Sequence, residues 1–255
     1  KLATLGERTR AMAMEMDFTM LFDEARMLFA IGYDERANRL DASSYDLLAS
    51  EARLASFLAV AKGDAPREHW FRLGRSLTAH AGATALVSWS GSMFEYLMPV
   101  IVMPSSPYSL LDQTHYAAVK RQIAYARSRR VPWGISESAY NVRDRHDTYQ
   151  YRGFGVPDLA LKRGLANDLV IAPYATMLAL PIEPGEALVN LAALEREGAF
   201  GAYGFHDAID YSRPDADSKL SVVRTSMAHH VGMSLVAIDN ALHVVRGDGI
   251  WQRRF

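Results

Sequence analysis

The chain has 255 residues, of which 49% are hydrophobic; that is enough apolar surface for a large core, and residues 1–255 are expected to form one domain. Its 28 basic and 29 acidic residues nearly cancel, which excludes the electrostatic footprint that nucleic acid or an anionic membrane surface demands and suits a neutral ligand. The absence of cysteine excludes disulfides and thiolate metal sites, and no apolar run has the length of a signal core or a membrane span. A chain that begins at Lys1, without methionine and inside a helical pattern, is expected to be a fragment of a larger protein.

In chain order, Phe18, Leu21, Phe22, Ala25, Leu28 and Phe29 follow the i, i+3, i+4, i+7 spacing of an amphipathic helix, which Gly32 stops. A second helix is predicted over Tyr45 to Ala61, with Leu47, Leu48, Leu54, Ala55 and Leu58 on its stripe and Gly63 to Pro66 ending it. A third runs from Ala83 or Ser92 to Met103, before Pro104 and Pro107, and a fourth over Asp112 to Arg129, with Tyr116, Val119, Ile123 and Ala126 on one face. From Arg130 to Leu169 aromatics, glycines and polar residues replace the helical period, as long functional loops do. Helices resume at Pro173 to Leu180, Pro184 to Glu197 and Ser226 to Leu242, and Gly198 to Asp210 reads as a hairpin or irregular loop. The alternation of helix and turn suits paired helices closing into a toroid, or a simple bundle.

Five acids and a histidine pair stand out. Glu51 falls four residues after Leu47 and three before Leu54, on the stripe of the second predicted helix. There it either pairs with a buried arginine or has its carboxyl pKa raised by desolvation, as a proton donor requires. Glu137 lies in Trp133-Gly134-Ile135-Ser136-Glu137-Ser138, where indole, hydroxyls and a carboxylate make the mixture that sugar sites use; the alternative is a loop acid beside a structurally buried tryptophan. Glu95 interrupts the apolar run Met93 to Met98, and a supporting hydrogen bond accounts for it as well as a ligand does. Asp207 and Asp210 sit among aromatics and glycines, where aspartates either bind sugar hydroxyls or cap turns. Of the adjacent His229 and His230, one could donate to a substrate hydroxyl or an acid; helix neighbours point about 100° apart and make a poor metal site, and no metal or cofactor is expected. The glycine clusters lack the context of a phosphate loop.

Five strings together resemble a known family. They are Tyr45-Asp46-Leu47-Leu48-Ala49-Ser50-Glu51-Ala52-Arg53-Leu54, Trp89-Ser90-Gly91-Ser92-Met93-Phe94-Glu95-Tyr96-Leu97-Met98-Pro99, Trp133 to Tyr140, Gly204 to Asp210 and His229-His230-Val231-Gly232-Met233-Ser234. In this order they are similar to the glycoamylase-like domain of bacterial cyclic β-1,2-glucan synthases, from about Phe18 to Leu242. The resemblance implies an all-α fold, an (α/α)6 toroid-like helical barrel, incomplete in this fragment, with functional loops and short hairpins. It also implies transglycosylation that closes linear β-1,2-glucan into a ring. Net retention then calls for two carboxyl groups about 5 to 5.5 Å apart, for which Glu137 is read as nucleophile and Glu51 as acid/base. Glu95, Asp207, Asp210 and His230 would position substrate or tune those acids, and Trp133, Tyr140, Tyr151 and Phe205 would stack on sugar rings. Partners implied are β-1,2-glucan and the glycosyltransferase and phosphorylase-like domains of a parent chain at the inner membrane, with this domain on the cytoplasmic side. An endo-hydrolase, a glucan-binding module without catalysis and a helical scaffold are the other readings.

Overall fold

The apolar stripe from Phe18 to Phe29 folds as a 3-10 turn, Thr19–Leu21, and a hairpin of strands Phe22–Asp23 and Leu28–Ala30, and not as the expected helix. Local capping decides it. Asp17 accepts the Thr19 backbone N–H at 2.8 Å; Asp23 accepts from the Arg26 N–H at 3.1 Å; and Met27 turns the chain with a φ of 59°. The stripe is nevertheless core, because Phe18, Leu21, Phe22 and Phe29 gather around Ala59 and Ala65. Helical spacing here marked burial without marking period.

The computed structural model describes residues 2–80 and 83–244. The chain divides into two compact units, Lys1–Arg75 and Ser76–Phe255. In the first, helix α1 (Leu2–Glu15) buries none of its side chains. Strand Ser44–Tyr45 adds to the hairpin, with Tyr45 opposite Phe29, and a second hairpin pairs Tyr33–Asp34 with Arg39–Leu40. Helix α2 spans Arg53–Lys62, so the helix expected from Tyr45 starts eight residues later than Tyr45, after that residue has been taken up by the sheet. It ends where expected, at Gly63, whose φ of 86° is the left-handed cap that glycine adopts without a Cβ penalty. Helix α3 (Glu68–Arg72) follows; its buried His69 bonds the Met27 carbonyl and the Ser56 hydroxyl, both at 2.9 Å.

The second unit opens with hairpin Leu77–His80 and Ala83–Leu86. The third expected helix therefore breaks into a strand, the short α4 (Met93–Leu97) and a 3-10 turn, Pro99–Ile101. Helix α5 (Leu110–Arg129) matches expectation, with Ser109 accepting the Asp112 N–H as N-cap. After it, strands Ser138–Arg143 and Tyr149–Arg152 form a hairpin inside the expected loop region. Then come α6 (Pro173–Leu178), α7 (Pro184–Arg196), the expected hairpin Phe200–Gly201 and Gly204–Phe205, and α8 (Ala228–Val244). An antiparallel sheet of Val170–Ile171, Ala208–Asp210 and Ser221–Val223 lies between the later helices in sequence. The fold is helix-rich, but the fourteen strands among the described residues make an all-α description too narrow: short strand pairs take over wherever the helical period lapses.

Two loops lock together by close backbone approach. Ser88 and Leu159, Leu161 and Ser88, and Val156 and Gly91 exchange N–H···O bonds of 3.0, 3.0 and 3.1 Å. A Cβ on Gly155 would stand 1.7 Å from the Ser90 carbonyl oxygen, so only glycine fits there.

Candidate active site around Glu137

Glu137 follows a backbone segment that three helices clamp. Gln122 of α5 makes a two-way amide pair with Ile135, at 2.9 Å from the Ile135 N–H and 2.8 Å to its carbonyl. The Ser136 hydroxyl accepts the Phe94 N–H of α4 at 3.0 Å and bonds the Tyr174 hydroxyl of α6 at 2.8 Å. Tyr174 also donates to the Glu137 carbonyl at 2.9 Å, and Gly134 meets α6 with a φ of 124°, its carbonyl accepting the Ala172 N–H at 2.9 Å. The half-buried carboxyl of Glu137 thus leaves a rigid base.

Its Oε2 accepts from the Tyr151 hydroxyl at 3.3 Å. Tyr151 stands opposite Ala139 in the hairpin, which is how a residue fourteen positions on returns to Glu137. The same hydroxyl lies 3.3 Å from His229 Nε2 and 3.1 Å from His230 Nε2. His230 stacks on Tyr174, with centroids 3.7 Å apart and an interplanar angle of 11°. Its Nδ1 is 2.7 Å from Asp207 Oδ1, and Asp207 Oδ2 accepts the Ala139 N–H at 2.8 Å. Burial, reinforced by the charges of Glu137 and Asp207, raises the Tyr151 pKa far above the ordinary phenol range, and burial does the same to Tyr174. Both phenols are donors at neutral pH. Burial lowers the His229 pKa, His230 adds to this, and Asp207 opposes it.

Of the residues read from sequence, the structure brings together Glu137, Tyr151, Asp207 and His230. Others have structural occupations. Glu95 is buried as the N3 carboxylate of a capping box with Ser92 and accepts from the Ser88 and Ser90 hydroxyls, each at 2.8 Å; it caps α4 and is not placed to bind sugar. Asp210 is 0% exposed and accepts from the Asn141, Ser212 and Arg213 N–H groups at 3.0, 2.9 and 3.1 Å, with Arg213 completing an ion pair at 3.2 Å. Its lone pairs are spent on the turn, so it has none left for substrate. Trp133 is 5% exposed; Asn190 and Thr176 bond its backbone, and its outer edge lines a groove of about 390 Å³ with residues of α5 and α7. A ring so buried offers no open face for stacking. Tyr140 already carries the Arg152 and Arg213 guanidiniums over its ring at 5.6 and 5.0 Å and the edge of Phe154 at 5.5 Å. Phe205 packs edge-on against Phe200 at 5.0 Å.

Glu51 belongs to the first unit. It lies in the turn before α2, half-buried, with Ser50 Oγ donating to its Oε2 at 3.2 Å, so the argument that an apolar helix stripe surrounds it does not hold. Sequence reasoning missed Tyr174 and set His229 aside; nothing local distinguishes Tyr174, which joins the site only because α6 packs against α4 and α8. Among the described residues no group of three His, Asp or Glu is arranged to hold a metal ion, and no helix is long and apolar enough to cross a membrane.

A helix-rich chain with a glutamate seated among phenols and imidazoles belongs to the glycoamylase family: residues 43–254 match the family described as "Putative glucoamylase". The cyclic β-(1,2)-glucan synthase NdvB of Rhizobium meliloti is 53% identical over 244 residues, which are 95% of this chain and 9% of that relative. Among solved structures, the endo-β-1,2-glucanase of Chitinophaga pinensis, in complex with sophorotriose and glucose, superposes with a TM-score of 0.65 at 15% identity, over 98% of this chain and 61% of that one. The endo-β-1,2-glucanase of Talaromyces funiculosus with sophorose gives a TM-score of 0.60 at 16% identity, over 93% and 53%. The chain therefore spans a small part of the first relative and about three-fifths or less of these two structures.

Proposed function

We propose that this chain is a glycoside-hydrolase-type transglycosylase that closes linear β-1,2-glucan into cyclic β-1,2-glucan with retention. The observation that carries the reading is the seat of Glu137: a carboxylate on a rigid backbone, with a phenol donor at 3.3 Å and an Asp–His pair behind it, in a chain 53% identical to a cyclic glucan synthase over nearly all its length. Both units are read as one catalytic domain, since the family match of residues 43–254 runs through both. The helices are read as part of an (α/α)6 toroid, which the superpositions on the two glucanases support at the level of fold.

In this reading Glu137 attacks the anomeric carbon of a glucosyl unit while Glu51 protonates the departing glycosidic oxygen. The C1–O bond breaks, and an ester forms between C1 and Glu137. Glu51, now a carboxylate, then takes the proton of the 2-hydroxyl at the far end of the same chain as that oxygen attacks C1, which releases Glu137 and closes the ring. Capture by water in the second step would yield a linear product instead. Tyr151 holds Glu137, Asp207 and His230 hold Tyr151, and the glucan is the partner. Glycosyltransferase and phosphorylase-like domains of a parent protein, its inner-membrane association and the cytoplasmic placement of this domain belong to the same reading.

Mass spectrometry of products from linear β-1,2-glucan tests it. Rings, one water lighter than linear chains of equal length, are expected, and Glu137→Gln should lower turnover by roughly 10³-fold or more. Shorter linear products would replace the synthase reading with that of a hydrolase; binding without cleavage, unchanged by substitution at Glu51 and Glu137, would make it a binding module.

A further inference from the structure

The Tyr151 hydroxyl has a single proton and three acceptor atoms around it: Glu137 Oε2 at 3.3 Å, His229 Nε2 at 3.3 Å and His230 Nε2 at 3.1 Å. Which of them receives the proton follows from an inventory that begins at Asp207. One carboxylate oxygen of Asp207 accepts the Ala139 N–H and the other faces His230 Nδ1, so as a carboxylate it accepts on both sides and His230 must carry its proton on Nδ1. A neutral His230 then turns a bare Nε2 lone pair toward Tyr151. Tyr151 must then divide one proton among His230, the nearest acceptor, His229 and Glu137, and a bond to His230 is lost to the carboxylate. A further proton on His230 removes the nearest competitor: Nε2–H donates to the phenol oxygen, and of the two acceptors left at 3.3 Å the charged Glu137 carboxylate binds the phenol proton more strongly than the neutral His229 ring.

The geometry points to Tyr151 as a positioning residue whose hydrogen bond to Glu137 is switched by the Asp207–His230 pair, closed when His230 carries both ring protons. The groups facing His230 are Asp207, Tyr151 from the hairpin, Tyr174 from α6 and His229 from α8, with Glu137 beyond Tyr151. The inference rests on Glu137 acting as nucleophile. A donor on the carboxylate favours its charged form, so a closed switch makes Glu137 the better leaving group when the glycosyl-enzyme breaks down. Tyr151 is 38% exposed, and the competing role is the sugar-stacking platform that its ring suggests.

Tyr151→Phe separates the two, since it keeps the ring and deletes the proton. With linear β-1,2-glucan the switch predicts a kcat about 10- to 100-fold lower, a KM that falls with it as glycosyl-enzyme accumulates, and an acid limb of kcat/KM moved up by about 0.5 to 1 pH unit. Unchanged kcat and limb would establish the platform and overturn the switch. Asp207→Asn is the second variant. The Ala139 N–H holds the amide oxygen, so the NH2 faces His230 Nδ1 and drives the ring proton to Nε2. Long-range ¹H–¹⁵N NMR should show His230 changing from the Nδ1–H to the Nε2–H tautomer, with the acid limb moving down, opposite to Tyr151→Phe. The same tautomer in both proteins, or limbs that move in the same direction, overturns the proposal. The tautomer reading needs no turnover: a wild-type chain inert on glucan but with the expected tautomers would refute the catalytic reading of Glu137 and leave the hydrogen-bond switch standing.

Discussion

Asp207, just before the strand Ala208–Asp210, and Asp210, at its end, lie three residues apart and do different work. Asp207 orients a histidine that reaches the Tyr151 phenol beside Glu137, whereas Asp210 satisfies a turn and a guanidinium. Removing Asp210 leaves Arg213 and three backbone donors without their acceptor, so Asp210→Ala is expected to destabilise the fold by about 3 kcal/mol, read as a lowered thermal midpoint. Histidine protonation is a second residue-scale effect. Burial depresses the pKa of both His206 and His229 below 6.5, so the unfolded chain takes up their protons at a higher pH than the folded one. Their contribution is present above pH 6.5 and is lost as pH falls through the folded values. Thermal midpoints should drop between pH 7.5 and 5.5, and His229→Asn should shrink the drop; an equal drop in the variant would place the titrating groups elsewhere.

At the scale of elements, the loops carry geometry that helices alone cannot supply. The crossing of Ser88–Gly91 with Gly155–Leu161 leaves no room for a side chain at Gly155. Gly155→Ala is expected to cost about 4 kcal/mol or more, because backbone and not a flexible side chain opposes the Cβ; a stability within 1 kcal/mol of wild type, measured by urea unfolding, would contradict the close approach. Arg130 ends α5 with a φ of 59°, a left-handed conformation that costs a residue with a Cβ roughly 1 kcal/mol. Arg130→Gly should accordingly stabilise the protein by about 0.5 to 1 kcal/mol, visible as a raised urea midpoint. These elements also show where periodicity succeeds. The pattern of α5 survives because twenty residues of helix dominate their own environment, while Phe18 to Phe29 yields to capping aspartates and to pairing with Tyr45.

At the scale of the whole molecule, the proposed chemistry requires a second carboxyl beside Glu137. Retention by double displacement predicts that this acid/base carboxyl stands about 5 to 5.5 Å from that of Glu137. A crystal structure of Glu137→Gln with bound β-1,2-glucan measures this directly. A separation near 6.5 to 9.5 Å, with room for a water, would indicate inversion and hydrolysis.

By itself the sequence determined that the stripe of Phe18, Leu21, Phe22 and Phe29 packs into a core, the positions of the long helices α5, α7 and α8, the non-helical setting of Glu137, and the family, because apolar spacing, glycine and proline stops and motif strings are local properties of the chain. It also marked Asp207 and His230. Only the tertiary structure decided the rest: that Glu51 precedes a helix where a stripe was expected, that Glu95, Trp133 and Asp210 serve the scaffold, and that Tyr174 and His229 join Tyr151 at Glu137. Hydrogen-bond capacity is the reason. A carboxylate or an indole carries the same chemistry in a cap as in a binding site, and only the partners that the fold brings within about 3 Å settle which of the two it occupies.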